Sequence, residues 1–119
     1  MPYYLDVPEI SPLEVSRQLQ AGQDLVLLDV REAWEIRLAS IRDERVRFAP
    51  LSRLSAQGTA ALPPEAADKQ AEIIVMCHHG VRSADVTAWL LQQGWHKVRS
   101  LTGGLEAYAE EVDAGIGRY

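Results

Sequence analysis

Short apolar runs alternate with longer stretches of mixed polarity along the chain. Residues 25–28 and 72–76 are almost entirely apolar and too short for most helices, which predicts two strands buried on both faces. Weaker strands are predicted at residues 3–7, 46–48 and 97–101. Five short strands separated by helical stretches are typical of an α/β domain.

The clearest helix start is at Ser11, a good N-cap that is followed by Pro12 and by Glu14 of a capping box. Further helices are predicted at residues 32–38, 51–62, 83–93 and 105–112, with a turn at 63–64. The alternation predicts one domain over residues 1–119, with a central, mainly parallel five-stranded sheet and helices on both faces. Its core is predicted at about residues 3–112, and residues 113–119 are predicted to be a C-terminal tail.

Composition narrows the function classes. The 119 residues suit a single domain, and a formal net charge of −5 does not favour nucleic acid or an anionic membrane as a partner. A single cysteine excludes an intramolecular disulfide and fits a reducing compartment. Without a signal-peptide pattern or a long apolar run, we expect a cytoplasmic location and no membrane partner.

The segment with the strongest chemical pattern is residues 77–83, which follows the most apolar strand. It starts with the only cysteine, Cys77, and continues through Gly80 and Arg82 to Ser83, where a helix is predicted. A tight loop there would direct backbone N–H groups toward the thiol, next to the positive end of a helix dipole. Such a loop favours a thiolate and holds an anion, and Arg82 adds a planar cation.

Plainer interpretations exist for the same residues. Cys77 alone could be a small packing residue, although Gly80 and Arg82 favour a reactive thiol. His78 and His79 could be donors or solvent-exposed loop residues. A metal site is not expected, because adjacent residues chelate one ion poorly and the only other histidine is His96. We expect no cofactor.

Two other segments are predicted to share the edge of the sheet with Cys77. Asp29 and Gly103 both follow predicted strands. In parallel sheets ligands bind at the carboxyl ends of the strands, so three loops should meet there.

Three motifs resemble one known family. Residues 77–83 resemble the active-site loop of the single-domain rhodaneses, which are sulfurtransferases. Residues 29–32, with Trp34 and Glu35, resemble the first signature of this family, and residues 101–105 with Tyr108 resemble its C-terminal signature. The motifs span most of the chain in the family's order.

The resemblance implies sulfur transfer through a persulfide on Cys77. It implies thiosulfate or a persulfide as donor, cyanide, a low-molecular-weight thiol or a thioredoxin-like protein as acceptor, and a monomer or homodimer. Arg82 would bind the oxyanion of the donor. The implied substrate-binding residues are His78, His79, Gly80, Val81, Arg82 and Ser83. The implied supporting residues are Asp29, Arg31 and Glu32.

The chain departs from the family after the first signature. A His-Ile-Pro-Gly-Ala-like stretch of many relatives is replaced by residues 40–44, which begins a cluster of Arg42, Arg45 and Arg47. This cluster is either a solvated loop or a recruiting surface for an anionic donor or a protein partner.

Three rival functions remain at this stage: a cysteine phosphatase, a non-catalytic rhodanese-like binding module and a persulfide relay. Cysteine phosphatases place five residues between cysteine and arginine, whereas four separate Cys77 from Arg82, so the loop suits sulfur better. Binding modules often lack the cysteine that this chain keeps. A relay would use the same Cys77 chemistry with another acceptor.

Overall fold

The chain forms a five-stranded sheet with helices on both of its faces. The structure is a computed structural model that describes residues 7–119. The strands are β1 (Glu9–Ile10), β2 (Val26–Asp29), β3 (Val46–Phe48), β4 (Ile73–Met76) and β5 (Val98–Leu101). The α-helices are α1 (Pro12–Gln20), α2 (Ala33–Ile36), α3 (Leu51–Gln57), α4 (Pro64–Ala67), α5 (Val81–Gln92) and α6 (Gly104–Glu111). Two 3-10 helices cover Gly58–Ala61 and Ala114–Ile116.

All neighbouring strands are parallel, in the order β1-β5-β4-β2-β3. The predicted α/β class and five-stranded sheet are therefore confirmed, and within residues 7–119 the sheet is parallel throughout. Because β4 is central, Cys77 emerges from the middle of the carboxyl edge, with Asp29 beside Met76 on the neighbouring strand. This is the edge at which parallel sheets bind ligands.

Successive residues of β4 fill two separate cores, because neighbouring side chains of a strand point to opposite faces. Ile73 and Val75 belong to the core under α3, α4 and α5, and Ile74 and Met76 to the core under α1 and α6. All four are fully buried, which explains the unbroken apolar run. Among residues 7–119, no helix is both long and apolar enough to cross a membrane.

Several boundaries differ from the prediction. The strand predicted at residues 3–7 lies outside the described residues except for Val7, and β1 is found at Glu9–Ile10. The turn predicted at residues 63–64 leads directly into α4, since proline is favoured in a first helical turn. The helix predicted from Ser83 starts at Val81.

The segment 113–119 is not a free tail. Its 3-10 helix buries Ile116 in the core under α1 and α6, and the Ile116 carbonyl accepts a hydrogen bond from Ser40 N–H at 2.9 Å. The sequence does not predict this contact, because Ile116 is a single apolar residue between two glycines and forms no periodic pattern. The consequence is that Tyr119 reaches the carboxyl edge of the sheet, where it contacts Arg31.

Candidate active site

The Cys77 side chain lies at the centre of a tight loop between β4 and α5. Its Sγ accepts hydrogen bonds from the backbone N–H groups of Gly80, at 3.2 Å, and Ser83, at 3.3 Å. The thiol itself points at Ser83 Oγ, 3.5 Å away. Cys77 is only 1% exposed. Two backbone N–H groups thus converge on the sulfur atom, an arrangement that can hold an anion.

Gly80 gives the loop its tight shape. Its φ of 97° lies in the left-handed region that side chains disfavour, and a Cβ at this position would lie 3.2 Å from the Gly103 nitrogen. The loop after β5 therefore presses directly against the Cys77 loop.

The start of α6 holds the backbone of the Cys77 loop. Leu105 N–H donates to the Cys77 carbonyl at 2.9 Å, and Glu106 N–H donates to the His78 carbonyl at 3.0 Å. A Cβ on Gly104 would collide with both carbonyl oxygens. The second glycine of the C-terminal signature is thus required by close backbone approach, a role that the motif alone did not indicate.

Arg82 is held by Glu35, a residue of the first family signature to which the sequence assigned no role of its own. Two hydrogen bonds of 2.7 Å join the Arg82 guanidinium to the two Glu35 carboxylate oxygens. Glu35 also accepts from the Glu32 N–H at 2.9 Å. Arg82 is the main cause that lowers the pKa of Glu35 to about 2. The spacing of Glu32 and Glu35 indicates a capping box at the start of α2 but does not indicate the contact with Arg82.

Asp29 and Arg31 form a fully buried pair beneath Glu35. Arg31 donates to Asp29 Oδ2 at 2.8 Å and continues to the carbonyl oxygens of Glu35 and Ala39. Both residues therefore support the loop after β2 and do not line a substrate site. Glu32, the third predicted supporting residue, bonds Ser52 Oγ at 2.8 Å and ties this loop to α3.

The two histidines form an aromatic stack with Tyr119. The ring centroid of His78 lies 3.9 Å from that of His79 and 3.8 Å from that of Tyr119, with nearly parallel planes. Burial, with a smaller contribution from His79, lowers the pKa of His78, which favours the neutral form of this ring. No pattern in the sequence indicated Tyr119.

The remaining predicted substrate-binding residues differ in exposure. Ser83 is fully buried, and its Oγ lies 2.8 Å from Ser100 Oγ, so it shapes the site from within. Val81 is 71% exposed at the start of α5. Val81 is therefore open to solvent beside the Cys77 loop, whereas Ser83 is not.

The arginine cluster lies away from this site. Arg45 precedes β3 on the amino side of the sheet, where it donates to the carbonyls of Leu19 and Gln23. Arg47 pairs with Glu65 at 3.1 Å. Arg42 is exposed. These contacts favour structural roles for Arg45 and Arg47, and the recruiting role considered for the cluster stays a prediction that no contact supports.

Comparison with known proteins identifies the domain. The model of the rhodanese-like domain family matches residues 11–111. The chain therefore belongs to the rhodanese-like domain family, as its three motifs predicted. Among solved structures, it is similar to a thiosulfate sulfurtransferase from Pseudomonas aeruginosa, with a TM-score of 0.72 and 27% identity over 92% of this chain and 19% of that one. A human single-domain sulfurtransferase shares the fold, with a TM-score of 0.71 at 22% identity, covering 87% of this chain and 96% of the human one.

The curated relatives are longer proteins. A tRNA uridine(34) hydroxylase from Xanthomonas axonopodis pv. citri is 31% identical over 110 residues, which cover 88% of this chain and 44% of the relative. The chain thus spans less than half the length of that protein. The aligned region is most of this chain but less than half of the hydroxylase.

Proposed function

We propose that this chain is a sulfurtransferase that carries one sulfane sulfur as a persulfide on Cys77. The donor is thiosulfate or a persulfide, and the acceptor is a thiol or cyanide. The observation that carries the proposal is the pair of backbone N–H groups, of Gly80 and Ser83, directed at the Cys77 sulfur. The sulfurtransferase names of two structural relatives agree with it.

The reaction has two displacements. The Cys77 thiolate attacks the outer sulfur of thiosulfate, a new sulfur–sulfur bond forms, and sulfite leaves with the electrons of the bond that breaks. The acceptor thiolate or cyanide then attacks the outer sulfur of the persulfide and releases the Cys77 thiolate. The N–H groups of the loop stabilise the negative charge on sulfur in both steps.

Arg82 contributes its charge to the donor while it remains paired with Glu35. The guanidinium has five N–H donors, and Glu35 uses two of them. The Arg82 side chain is 31% exposed, so remaining donors are open to an oxyanion. Direct contact between Arg82 and the donor is part of this proposal.

We propose sulfur handling for this chain in preference to hydroxylation of tRNA. The hydroxylase activity belongs, by name, to relatives in which more than half of the chain lies outside the shared region. Binding to nucleic acid depends on lysine and arginine side chains that neutralise phosphates, which a net charge of −5 does not favour.

The test is intact-mass spectrometry of the purified chain after incubation with thiosulfate. The expected result is a mass gain of one sulfur atom that cyanide removes, with sulfite released in equal amount. Cys77→Ser, which changes one atom of the side chain, should gain nothing. Absence of the adduct on the wild-type chain, with persulfide donors as well as thiosulfate, would refute sulfur transfer.

Two further assays separate the rivals. Hydrolysis of a generic phosphate ester that disappears in Cys77→Ser would favour the phosphatase. Discharge of the persulfide to a low-molecular-weight thiol but not to cyanide would favour a relay between thiols.

A further inference from the structure

Tyr119 contacts the Cys77 loop through its ring. The ring stacks on His78 with centroids 3.8 Å apart and planes inclined by 17°, while His79 stacks on the opposite face. The Nε2 atom of His78 is buried and has no hydrogen-bond partner among the described residues. The two stacked rings pack on both faces of the His78 ring, and Glu106 Oε1 lies 3.9 Å from its Nε2.

The hydroxyl of Tyr119 contacts the polar support of the same loop. It accepts a hydrogen bond from Arg31 Nη1 at 3.1 Å and donates one to Glu35 Oε1 at 3.1 Å. That carboxylate oxygen also receives Arg82 Nη2 at 2.7 Å. One hydroxyl thus joins the buried Asp29–Arg31 pair to the partner of Arg82.

These contacts reach both ends of the loop. His78 directly follows the reactive cysteine, and Arg82 lies in the first turn of α5, immediately before Ser83. The N–H groups that reach Cys77 Sγ belong to Gly80 and Ser83, within and just after this segment. Their direction depends on the curvature of the segment, which contacts at both ends restrain.

We propose that Tyr119 is a positioning residue for sulfur transfer, a proposal that rests on the function proposed above. Its ring holds the His78 end of the loop, and its hydroxyl holds Arg82 through Glu35. Tyr119 touches neither Cys77 nor the transferred sulfur in this scheme. It acts by keeping the loop N–H groups aimed at the thiolate.

The two parts of the side chain should affect different constants. Losing the ring releases His78 and slows the displacement itself. A stacked aromatic pair contributes about 0.5–1.5 kcal/mol, which corresponds to a decrease of roughly twofold to twelvefold in rate. Losing only the hydroxyl weakens the hold on Glu35 and Arg82, which raises the thiosulfate concentration needed for half-saturation.

The experiment compares Tyr119→Phe and Tyr119→Ala with the wild-type chain in single-turnover persulfide formation over a range of thiosulfate concentrations. Tyr119→Phe should keep most of the maximal rate and need severalfold more thiosulfate. Tyr119→Ala should also lose most of the maximal rate. Rescue by phenylalanine separates a positioning ring from general damage to the fold.

Glu110→Ala is the matched control. Glu110 is exposed on α6 and pairs at 2.9 Å with Arg118, the neighbour of Tyr119, so its loss should leave the Tyr119 contacts in place. It should transfer sulfur like the wild-type chain. The proposal is overturned if Tyr119→Ala equals the wild type in both constants, if Tyr119→Phe is as slow as Tyr119→Ala, or if Glu110→Ala reproduces the loss.

A second measurement separates failure of this inference from failure of sulfur transfer. The rate at which iodoacetamide alkylates Cys77 requires no sulfur donor. Release of the loop in Tyr119→Ala should change this rate severalfold, because it alters both the access of the reagent to Cys77, which is 1% exposed, and the N–H groups that favour its thiolate. If the wild-type chain takes up no sulfur, an unchanged alkylation rate still overturns the positioning role.

Discussion

Two Asp-x-Arg segments make almost the same local hydrogen bonds on opposite edges of the sheet. In residues 29–31 the arginine backbone N–H reaches the aspartate at 3.1 Å and its Nη2 at 2.8 Å. In residues 43–45 the same bonds measure 2.9 and 2.8 Å. Each arginine then donates to two backbone carbonyls of a neighbouring segment.

The pairs differ in burial and in what they hold. The side chains of Arg31 and Asp29 are 0% and 2% exposed, while those of Arg45 and Asp43 are 20% and 17% exposed. Arg31 lies under the Cys77 site and meets Tyr119, whereas Arg45 closes the end of α1. The same local ion pair should therefore contribute differently to stability in the two places. Burial removes the water that would otherwise screen the charges and form substitute hydrogen bonds when the pair is broken.

The largest effect is expected for Arg31→Ala, which leaves Asp29 charged and buried without its partner. We expect a loss of about 3–5 kcal/mol in the free energy of unfolding, measured by urea denaturation. The double variant Asp29→Asn with Arg31→Met should recover part of this loss, because no unpaired charge remains. A loss no larger than that of Arg45→Ala would contradict the difference drawn between the two pairs.

The next effect concerns Glu35, which connects the buried pair to Arg82. Its pKa is lowered from 4.5 to about 2, so its ionised form stabilises the fold fully above pH 4.5. That contribution is lost as the pH falls from about 4.5 to 2. We expect about 2 kcal/mol, less than the full shift implies, because Arg82 is 31% exposed and solvent screens the pair.

The measurement is the free energy of unfolding at a series of pH values for the wild type and Glu35→Gln. The free energy of unfolding of the wild type should exceed that of the variant above pH 4.5, and this difference should disappear as the pH falls to 2. Curves that remain parallel across this window would show that Glu35 does not carry the dependence.

A smaller effect is expected for Arg45→Ala. The variant loses bonds to Asp43 and to two carbonyls near the end of α1, but water can replace them because the pair is partly exposed. The Tm should fall by a few degrees, well below the fall in Arg31→Ala, when both are followed by circular dichroism. Sulfur uptake from thiosulfate should not change, and a decrease would imply that the amino edge communicates with Cys77.

The smallest effect is expected for Arg42→Ala. Arg42 is exposed, and exposed substitutions outside special features seldom alter stability. The Tm and the half-saturating concentration of thiosulfate should match those of the wild type. An increase in that concentration, absent in Arg42→Lys, would support the recruiting role considered for the cluster.

Local pattern was sufficient for much of the fold and for the centre of the site. The buried strands β2 and β4 were predictable because strands covered on both faces are apolar at every position. The Cys77 loop was predictable because a strand end, Gly80 and a helix start follow one another within a few residues. Because the strands are parallel, the segments that follow β2, β4 and β5 lie at the same edge of the sheet, independently of which side chains they carry.

The amino-acid sequence by itself thus determined the α/β class, the place of Cys77 in a tight loop at the end of a central strand, and the meeting of three loops at one edge of the sheet. Only the tertiary structure decided that Glu35 engages Arg82, that Arg31 is buried while Arg45 is not, and that Tyr119 stacks on His78. The Glu35–Arg82 contact joins residues 47 positions apart, and the burial of Arg31 depends on which neighbours exclude water. Neither a long-range contact nor the burial of a charged side chain leaves a pattern in the neighbouring sequence, because both arise when separate segments pack together.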